Sequence, residues 1–482
     1  MNNKNLVRNI KILIIFFCIC FFGIIFYLTY FNLYVSQKII NDNSNPRIKA
    51  EENKRLRGLI LDRDGNVLVY SKRIQNGKQK RYYKYGEVYA HITGYSSVIY
   101  GKSGIELSYN DVLSGKTLIY NNPISVFKRF LDVVMNKERK GNNIFLTIDD
   151  KLQQKTYSLL GDNIGAAVAI NPKTGEILSM VSKPSFDPEK IDDKFDEYNS
   201  DSTGVPFLNR AAKGYYPPGS TFKIITASAA LNYIDNIENN SFNCNGKLKI
   251  GDYILNDYNK ESHGKINLKN AFKVSCNYTF GSIGMKLGYD KLKDMAENFM
   301  FNKEIPLNDE YDSINIKVGK IKIENDKSLA LTAQDAIGQH GVTSNPMHMA
   351  LIAASIANEG TMMKPYIVKQ IRDDYNNILY EANPNVLKNC IDKKIADKVR
   401  DYMIEVVKSG TGKNAKINGI TVAGKTGTAQ VEGKNETHSW FVAFAPAQDP
   451  KIAVAVIVEN GGVGGGTAAS IVREMIKTYL KK

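Results

Sequence analysis

The sequence predicts an α+β fold: an antiparallel five-stranded sheet flanked by helices, with an all-helical subdomain. Three observations predict it. Two β-compatible runs at 166–170 and 176–181 are joined by Asn171-Pro-Lys-Thr-Gly175, a segment full of turn formers. Residues 207–357 carry apolar stretches at helical spacing, as at 224–231 and 347–356. Three further strand candidates, 420–430, 440–445 and 452–458, precede a segment at 468–480 whose Val472, Met475, Ile476 and Tyr479 recur at helical spacing. Strand pair, helices, strands and helix, in that order, describe a sheet assembled from both ends of a segment around a helical insertion.

The N-terminal elements are of another kind. No charged residue occurs from Ile12 to Val35, a run long enough to cross a bilayer core of about 30 Å. It lacks a small-residue processing site and passes instead into Asn32, Tyr34, Ser36 and Gln37, so it reads as an uncleaved single-pass anchor. Lys4, Arg8 and Lys11 precede it, which places residues 1–11 in the cytoplasm and the remainder outside. Residues 36–54 are Asn-rich and charged, as expected of a tether. A strand pair around Asp64-Gly65-Asn66 then opens a small β-containing domain at 55–141, and the large domain occupies 142–482.

The formal net charge of +15 comes from basic residues scattered among acidic ones, so no nucleic-acid stripe is formed. Of the five cysteines, Cys18 and Cys20 lie in the span, and Cys244, Cys276 and Cys390 are too few for a disulfide framework. Cys244, Asp257, His263 and Cys276 are zinc-compatible types within about thirty residues, but their spacing matches no standard finger. The expectation is core thiols and a surface histidine, with no metal and no cofactor.

Chemistry is carried by three short motifs: Ser220-Thr-Phe-Lys223, Ser275-Cys-Asn277 and Lys425-Thr-Gly-Thr428. None is specific alone, because Ser262-His-Gly-Lys265 and Lys173-Thr-Gly175 occur in the same chain. Context separates them. Ser220 follows Pro217-Pro218-Gly219 and opens an apolar helix, where unpaired N–H groups favour a developing oxyanion. Lys223 lies one turn on, within reach of the serine oxygen. Flanked by Phe222, Ile224 and Ile225, its amine loses its proton readily and becomes a general base. Lys425, Thr426, Gly427 and Thr428 sit in a strand candidate, with Gly427 allowing close approach of a substrate backbone and the hydroxyls suited to a carboxylate. Ser275 and Asn277 are polar groups between helices, suited to relaying a proton and holding an amide. The two decoys read as turns.

The surrounding sequence resembles the class B penicillin-binding proteins. Arg57-Gly58 with Asp62-Arg63-Asp-Gly65 and Gly101-Lys-Ser-Gly-Ile-Glu106 are similar to their first two N-terminal motifs, and Leu146-Thr-Ile-Asp149 resembles the entry to their transpeptidase domain. Tyr216-Pro-Pro-Gly-Ser220, Ile337-Gly-Gln339, Ala423-Gly-Lys425 and Ser439-Trp-Phe-Val442 follow in the family's order. The resemblance implies a β-lactamase/transpeptidase-like fold and a peptidoglycan D,D-transpeptidase that acts on stem peptides through acyl-Ser220 and is trapped by β-lactams. Lys223 is then the base, Ser275 and Asn277 manage protons and substrate, Lys425, Thr426 and Thr428 bind the terminal carboxylate, and the N–H groups of Ser220 and Thr428 form the oxyanion hole. It also implies a polytopic SEDS-type glycosyltransferase partner in the membrane. A β-lactamase or β-lactam sensor shares the three motifs but is not expected to carry the Arg57 to Glu106 signature. A non-catalytic scaffold is opposed by the intact Ser220, Lys223 and Lys425. The segment after Ile337-Gly-Gln339, from His340 to His348, departs from the family wording.

Overall fold

The computed structural model describes residues 3–31, 55–74, 77–116, 135, 138–309, 311, 313–321, 328–430 and 436–481. Helix α1, Asn3–Tyr30, includes a 24-residue apolar stretch from Val7 to Tyr30 whose side chains are exposed all round. At 1.5 Å per residue that stretch is about 36 Å long, so it fits a single-pass membrane protein. It begins and ends a few residues before the predicted span of 12–35, and the predicted tether at 36–54 lies outside the described residues.

The chain then runs through β1 (Ile60–Leu61), β2 (Val67–Arg73), β3 (Gln79–Tyr83), β4 (Asn143–Leu146), α2 (Asp150–Leu160), β5 (Gly165–Ile170) and β6 (Ile177–Lys183). The middle holds α3 (Lys223–Tyr233), β7 (Ser241–Cys244), β8 (Lys247–Ile250), β9 (Tyr253–Asn256), β10 (Gly264–Asn267), α4 (Leu268–Val274), α5 (Asn277–Asn298) and α6 (Pro346–Ala357). After them come β11 (Val368–Arg372), β12 (Ile378–Glu381), α7 (Lys393–Ser409), β13 (Ala423–Gln430), β14 (Thr437–Ala445), β15 (Ile452–Val458) and α8 (Thr467–Leu480).

The five-stranded antiparallel sheet has the order β13-β14-β15-β5-β6. Alternation along β14 shows why it is buried on both faces. Trp440, Val442 and Phe444 join the core that contains Phe222, Phe280 and α6, whereas Phe441, Ala443 and Ala445 join the core under α2 and α8. Helix α6 is buried at every position, which matches a sequence apolar on all sides. The predicted helical middle also contains the short ribbons β7–β10 and β8–β9, whose polar, Asn-rich strands give little apolar alternation to read.

A second, mixed sheet has the order β12-β11-β4-β1-β2-β3. Because β4 pairs parallel to β1 and antiparallel to β11, this sheet is shared across the predicted 141/142 division. Buried charge secures it: Arg57 Nε donates to Glu106 at 2.6 Å and Arg81 Nε at 2.7 Å. Glu106 is fully buried; burial pushes its carboxyl up, and Arg57 and Arg81 together more than offset this, holding it below the usual range. The first two family-like N-terminal motifs thus meet in one ion-pair cluster, which Arg81, from neither motif, completes.

Candidate active site

The serine turn comes first. Gly219–Phe222 forms a tight 3₁₀ turn that leads into α3, and every residue from Lys223 to Ala230 is buried. The turn is gripped from two sides. Gly219, at φ 53, donates to Gly338 O at 2.9 Å, and a Cβ on Gly338 would stand 2.2 Å from Gly219 O. On the other side Trp440 Nε1 donates to Pro217 O at 3.1 Å, and Thr221 Oγ1 donates to Pro218 O at 2.7 Å. Strand β13 runs against the same turn, so a Cβ on Gly427 would meet Thr221 at 2.8 Å and Pro218 O at 2.9 Å. The close approach that Gly427 permits is therefore that of the serine turn itself, in addition to any substrate. Neither Gly338 nor Trp440 carries chemistry, and their role was legible only as a family word in the sequence.

Ser275 ends α4 in a left-handed conformation, φ 62, and Cys276 caps α5, so the Ser275-Cys-Asn277 tripeptide is the corner between two helices. That corner faces Lys223. The lysine Nζ donates to Ser275 O at 2.6 Å, Asn277 Oδ1 at 2.7 Å and Ser275 Oγ at 3.3 Å. Lys425 Nζ donates to Ser275 Oγ at 2.9 Å and to Thr426 O at 3.0 Å. Ser275 Oγ thus bridges the two amines. The hydrogen bonds of Lys223 go to this corner instead of to Ser220, because two strong acceptors are there; contacts to a nucleophile commonly tighten only with substrate bound.

Both lysines are fully buried. Burial lowers the Lys223 amine to about 8, against the opposing pull of Cys276 and Asp257. Burial, with the like charge of Lys223 beside it, takes Lys425 well below the ordinary range. A buried amine near neutrality is what a general base needs. Ser220, Ser275, Asn277, Thr426 and Thr428 all line one open cleft of about 1410 Å³, with the two lysines beneath its floor. Thr426 Oγ1 lies 2.7 Å from Thr411 Oγ1, and Thr428 Oγ1 accepts from Gly464 N at 3.3 Å. The decoys do not rebuild the motifs: Lys173-Thr-Gly175 forms the β5–β6 turn, and Ser262-His-Gly-Lys265 leads into and enters β10, a strand instead of a helix, although His263 itself lines the cleft.

Asp257 is a residue whose part at this corner the sequence did not reveal. Its Oδ1 accepts the Asn277 backbone N–H, which pins the corner to the end of β9. Cys244 and Cys276 are buried in the core as expected, whereas His263 is only partly exposed instead of lying on the open surface. Ligand atoms of Cys244, Asp257, His263 and Cys276 lie within 4.8 Å of one another, and only His263 is other than buried.

A family model described as the penicillin binding protein transpeptidase domain matches residues 165–477, and one described as the penicillin binding protein A dimerisation domain matches 57–144. The chain belongs to the penicillin-binding protein transpeptidase family. Within this family it is 32% identical over 469 residues to the peptidoglycan D,D-transpeptidase PbpA of Mycolicibacterium smegmatis, covering 92% of each chain. It is 32% identical to the peptidoglycan D,D-transpeptidase MrdA of Acinetobacter baumannii, covering 83% of this chain and 66% of that one. Among solved structures, a ceftriaxone acyl-enzyme complex of penicillin-binding protein A from Mycobacterium tuberculosis superposes with a TM-score of 0.83 at 30% identity, covering 89% of this chain and 99% of that one. The resemblance read from the motifs and the family match agree, and they extend over both the N-terminal sheet and the serine cleft.

Proposed function

We propose that this penicillin-binding protein is a peptidoglycan D,D-transpeptidase that cross-links stem peptides through an ester on Ser220. The observation that carries the reading is the convergence of Ser220, Ser275, Asn277, Thr426 and Thr428 on one cleft above two buried lysines. Ser220 Oγ attacks the carbonyl carbon of the penultimate D-Ala, and its proton passes to neutral Lys223. As the C–N bond breaks, that proton is returned to the departing D-Ala amine through Ser275, whose hydroxyl touches both amines. An amine of a second stem then attacks the ester, and the proton it sheds restores the Ser220 hydroxyl. Lys425, Thr426 and Thr428 hold the terminal carboxylate, and the N–H groups of Ser220 and Thr428 face the oxyanion. Strand β13 is an edge strand of its sheet, so its outer side is available for an extended peptide.

In the same reading residues 1–11 are cytoplasmic, α1 is the anchor, 36–54 the tether, 55–141 a small pedestal-like domain and 142–482 the extracytoplasmic transpeptidase domain. A SEDS-type glycosyltransferase is the proposed membrane partner. The test is intact mass of the detergent-solubilised chain after incubation with benzylpenicillin, beside Ser220→Ala, followed by assay of D-Ala release. A long-lived adduct absent from the variant, with D-Ala released from a stem peptide, is expected. A short-lived adduct with rapid drug consumption would replace the reading with β-lactamase, and no adduct on folded protein would replace it with a scaffold.

A further inference from the structure

We propose that Cys244, Asp257, His263 and Cys276 form a tetrahedral zinc site that staples the β7–β10 and β8–β9 ribbons to the corner carrying Ser275 and Asn277. The four residues come from four places: the end of β7, the turn after β9, the approach to β10 and the cap of α5. Their ligand atoms nevertheless converge. Asp257 Oδ2 lies 3.1 Å from Cys244 Sγ and 3.5 Å from Cys276 Sγ, and His263 Nδ1 lies 3.4 Å from Cys244 Sγ and 3.8 Å from Asp257 Oδ2. A tetrahedron with bonds of about 2.3 Å to sulfur and about 2.0–2.1 Å to nitrogen and oxygen has edges of roughly 3.3–3.8 Å. The four observed edges scatter around that range and the other two, from Cys276 to Cys244 and to His263, are no longer than 4.8 Å, so contraction by about 1 Å at most closes the set around an ion.

The donor set selects the metal. Two thiolates with an imidazole and one carboxylate suit zinc and disfavour magnesium or calcium, which take oxygen shells. Binding releases the two thiol protons to solvent, and the thiolates then accept what surrounds them. Cys276 Sγ already has the Thr279 N–H at 3.4 Å and the Thr279 hydroxyl at 3.3 Å. The second oxygen of Asp257 accepts the Asn277 N–H, so the outer contacts of the site run directly into the catalytic corner.

There is also a structural need. Two-stranded ribbons are marginal alone, and these expose Ile254 and Tyr258 while seating only a few side chains, such as Leu248 and Leu255, against α5. A metal that ties both ribbons to the cap of α5 supplies the cross-link that so small a core lacks. Because Cys276 stands between Ser275 and Asn277, loss of the ion is expected to loosen both; this consequence rests on the transpeptidase reading, whereas the metal site does not.

The experiment is metal analysis by mass spectrometry of the full-length protein in detergent, expressed with zinc and dialysed against metal-free buffer. One zinc per chain is expected for the wild type and for Cys390→Ser, and loss of zinc for Cys244→Ser and for His263→Ala. Since a variant that fails to fold would also lose metal, cobalt is exchanged into the wild type. Ligand-field bands of a tetrahedral ion, with a thiolate charge-transfer band, are expected. Folded wild type without zinc, cobalt spectra of an octahedral oxygen site, zinc retained by both ligand variants, or an intact mass short of two hydrogens, which marks a Cys244–Cys276 disulfide, would each overturn the proposal. Penicillin labelling of the same samples keeps the two readings apart: zinc without labelling sinks only the transpeptidase assignment, and labelling without zinc sinks only this one.

Discussion

Two buried clusters of charge, one in the N-terminal sheet and one beneath the cleft, are built on opposite rules. In the N-terminal sheet Glu106 is matched by Arg57 and Arg81, with further bonds from Arg57 to Glu106 O and Asn110 and from Arg81 to Gly58 O. Each charged group there touches an opposite charge, although two guanidiniums share one carboxylate and Arg81 Nη2 has no hydrogen bond. Beneath the cleft, Lys223 and Lys425 share Ser275 and have only neutral oxygens as hydrogen-bond partners. The first arrangement keeps its groups ionised and holds strands together; the second drives amines toward neutrality, which costs stability and yields a base. Burial alone therefore does not mark a functional charge. The absence of a matched opposite charge in direct contact does.

Removing the base is the strongest way to break the contrast. Lys223→Ala should slow acylation by benzylpenicillin about 10²- to 10⁴-fold while the melting temperature changes little or rises, since a buried amine hydrogen-bonded only to neutral oxygens is gone. Glu106→Ala should do the reverse. It strands two buried guanidiniums and should cost about 3–5 kcal/mol, read as a lower unfolding midpoint, with the acylation rate of the folded fraction preserved. If Glu106→Ala instead slowed acylation without destabilising the protein, the division of labour between the clusters would be wrong.

Acidity sharpens the comparison, because the clusters titrate in different windows. Lys223 must be neutral to accept the serine proton, and its amine sits at about 8. Acylation efficiency should therefore rise about tenfold per pH unit below that value and level off above it. Glu106 is held below its unfolded value of about 4.3, so its stabilising contribution is complete above that pH and is lost as pH falls through the folded value. Between these limits the protein should be folded yet slow, a window checked by measuring labelling rate and circular dichroism on one sample across pH. The smallest expected effect is that of Arg81→Lys, which retains the charge but loses the fork onto Glu106 and Gly58 O. About 1–2 kcal/mol of stability should go, with labelling unchanged.

Much of the large domain was legible beforehand because its strands and helices are locally periodic. The pair 166–170 and 176–181, the strands at 420–430, 440–445 and 452–458, and the helices at 224–231, 347–356 and 468–480 are all found within a few residues of where the pattern put them. The ribbons at 241–267 were missed since strands of four polar-rich residues leave no such pattern. Arg81, too, carried no signal; its partner Glu106 lies 25 positions away and is reached only through the β2–β3 pairing.

By itself the sequence determined the reacting groups: a serine before an apolar helix, a lysine one turn on, a lysine-threonine strand, and an apolar run of membrane length. Those are properties of neighbouring residues, set by periodicity and local burial. Only the tertiary structure decided which serine corner meets Lys223, that Gly427 and Gly338 make room for the nucleophile's turn, that one sheet is shared between 60–83 and 368–381, and that Cys244 and Cys276 face a common point with Asp257 and His263. Each of these joins residues far apart in the chain, and such contacts follow from how sheets and helices pack against one another.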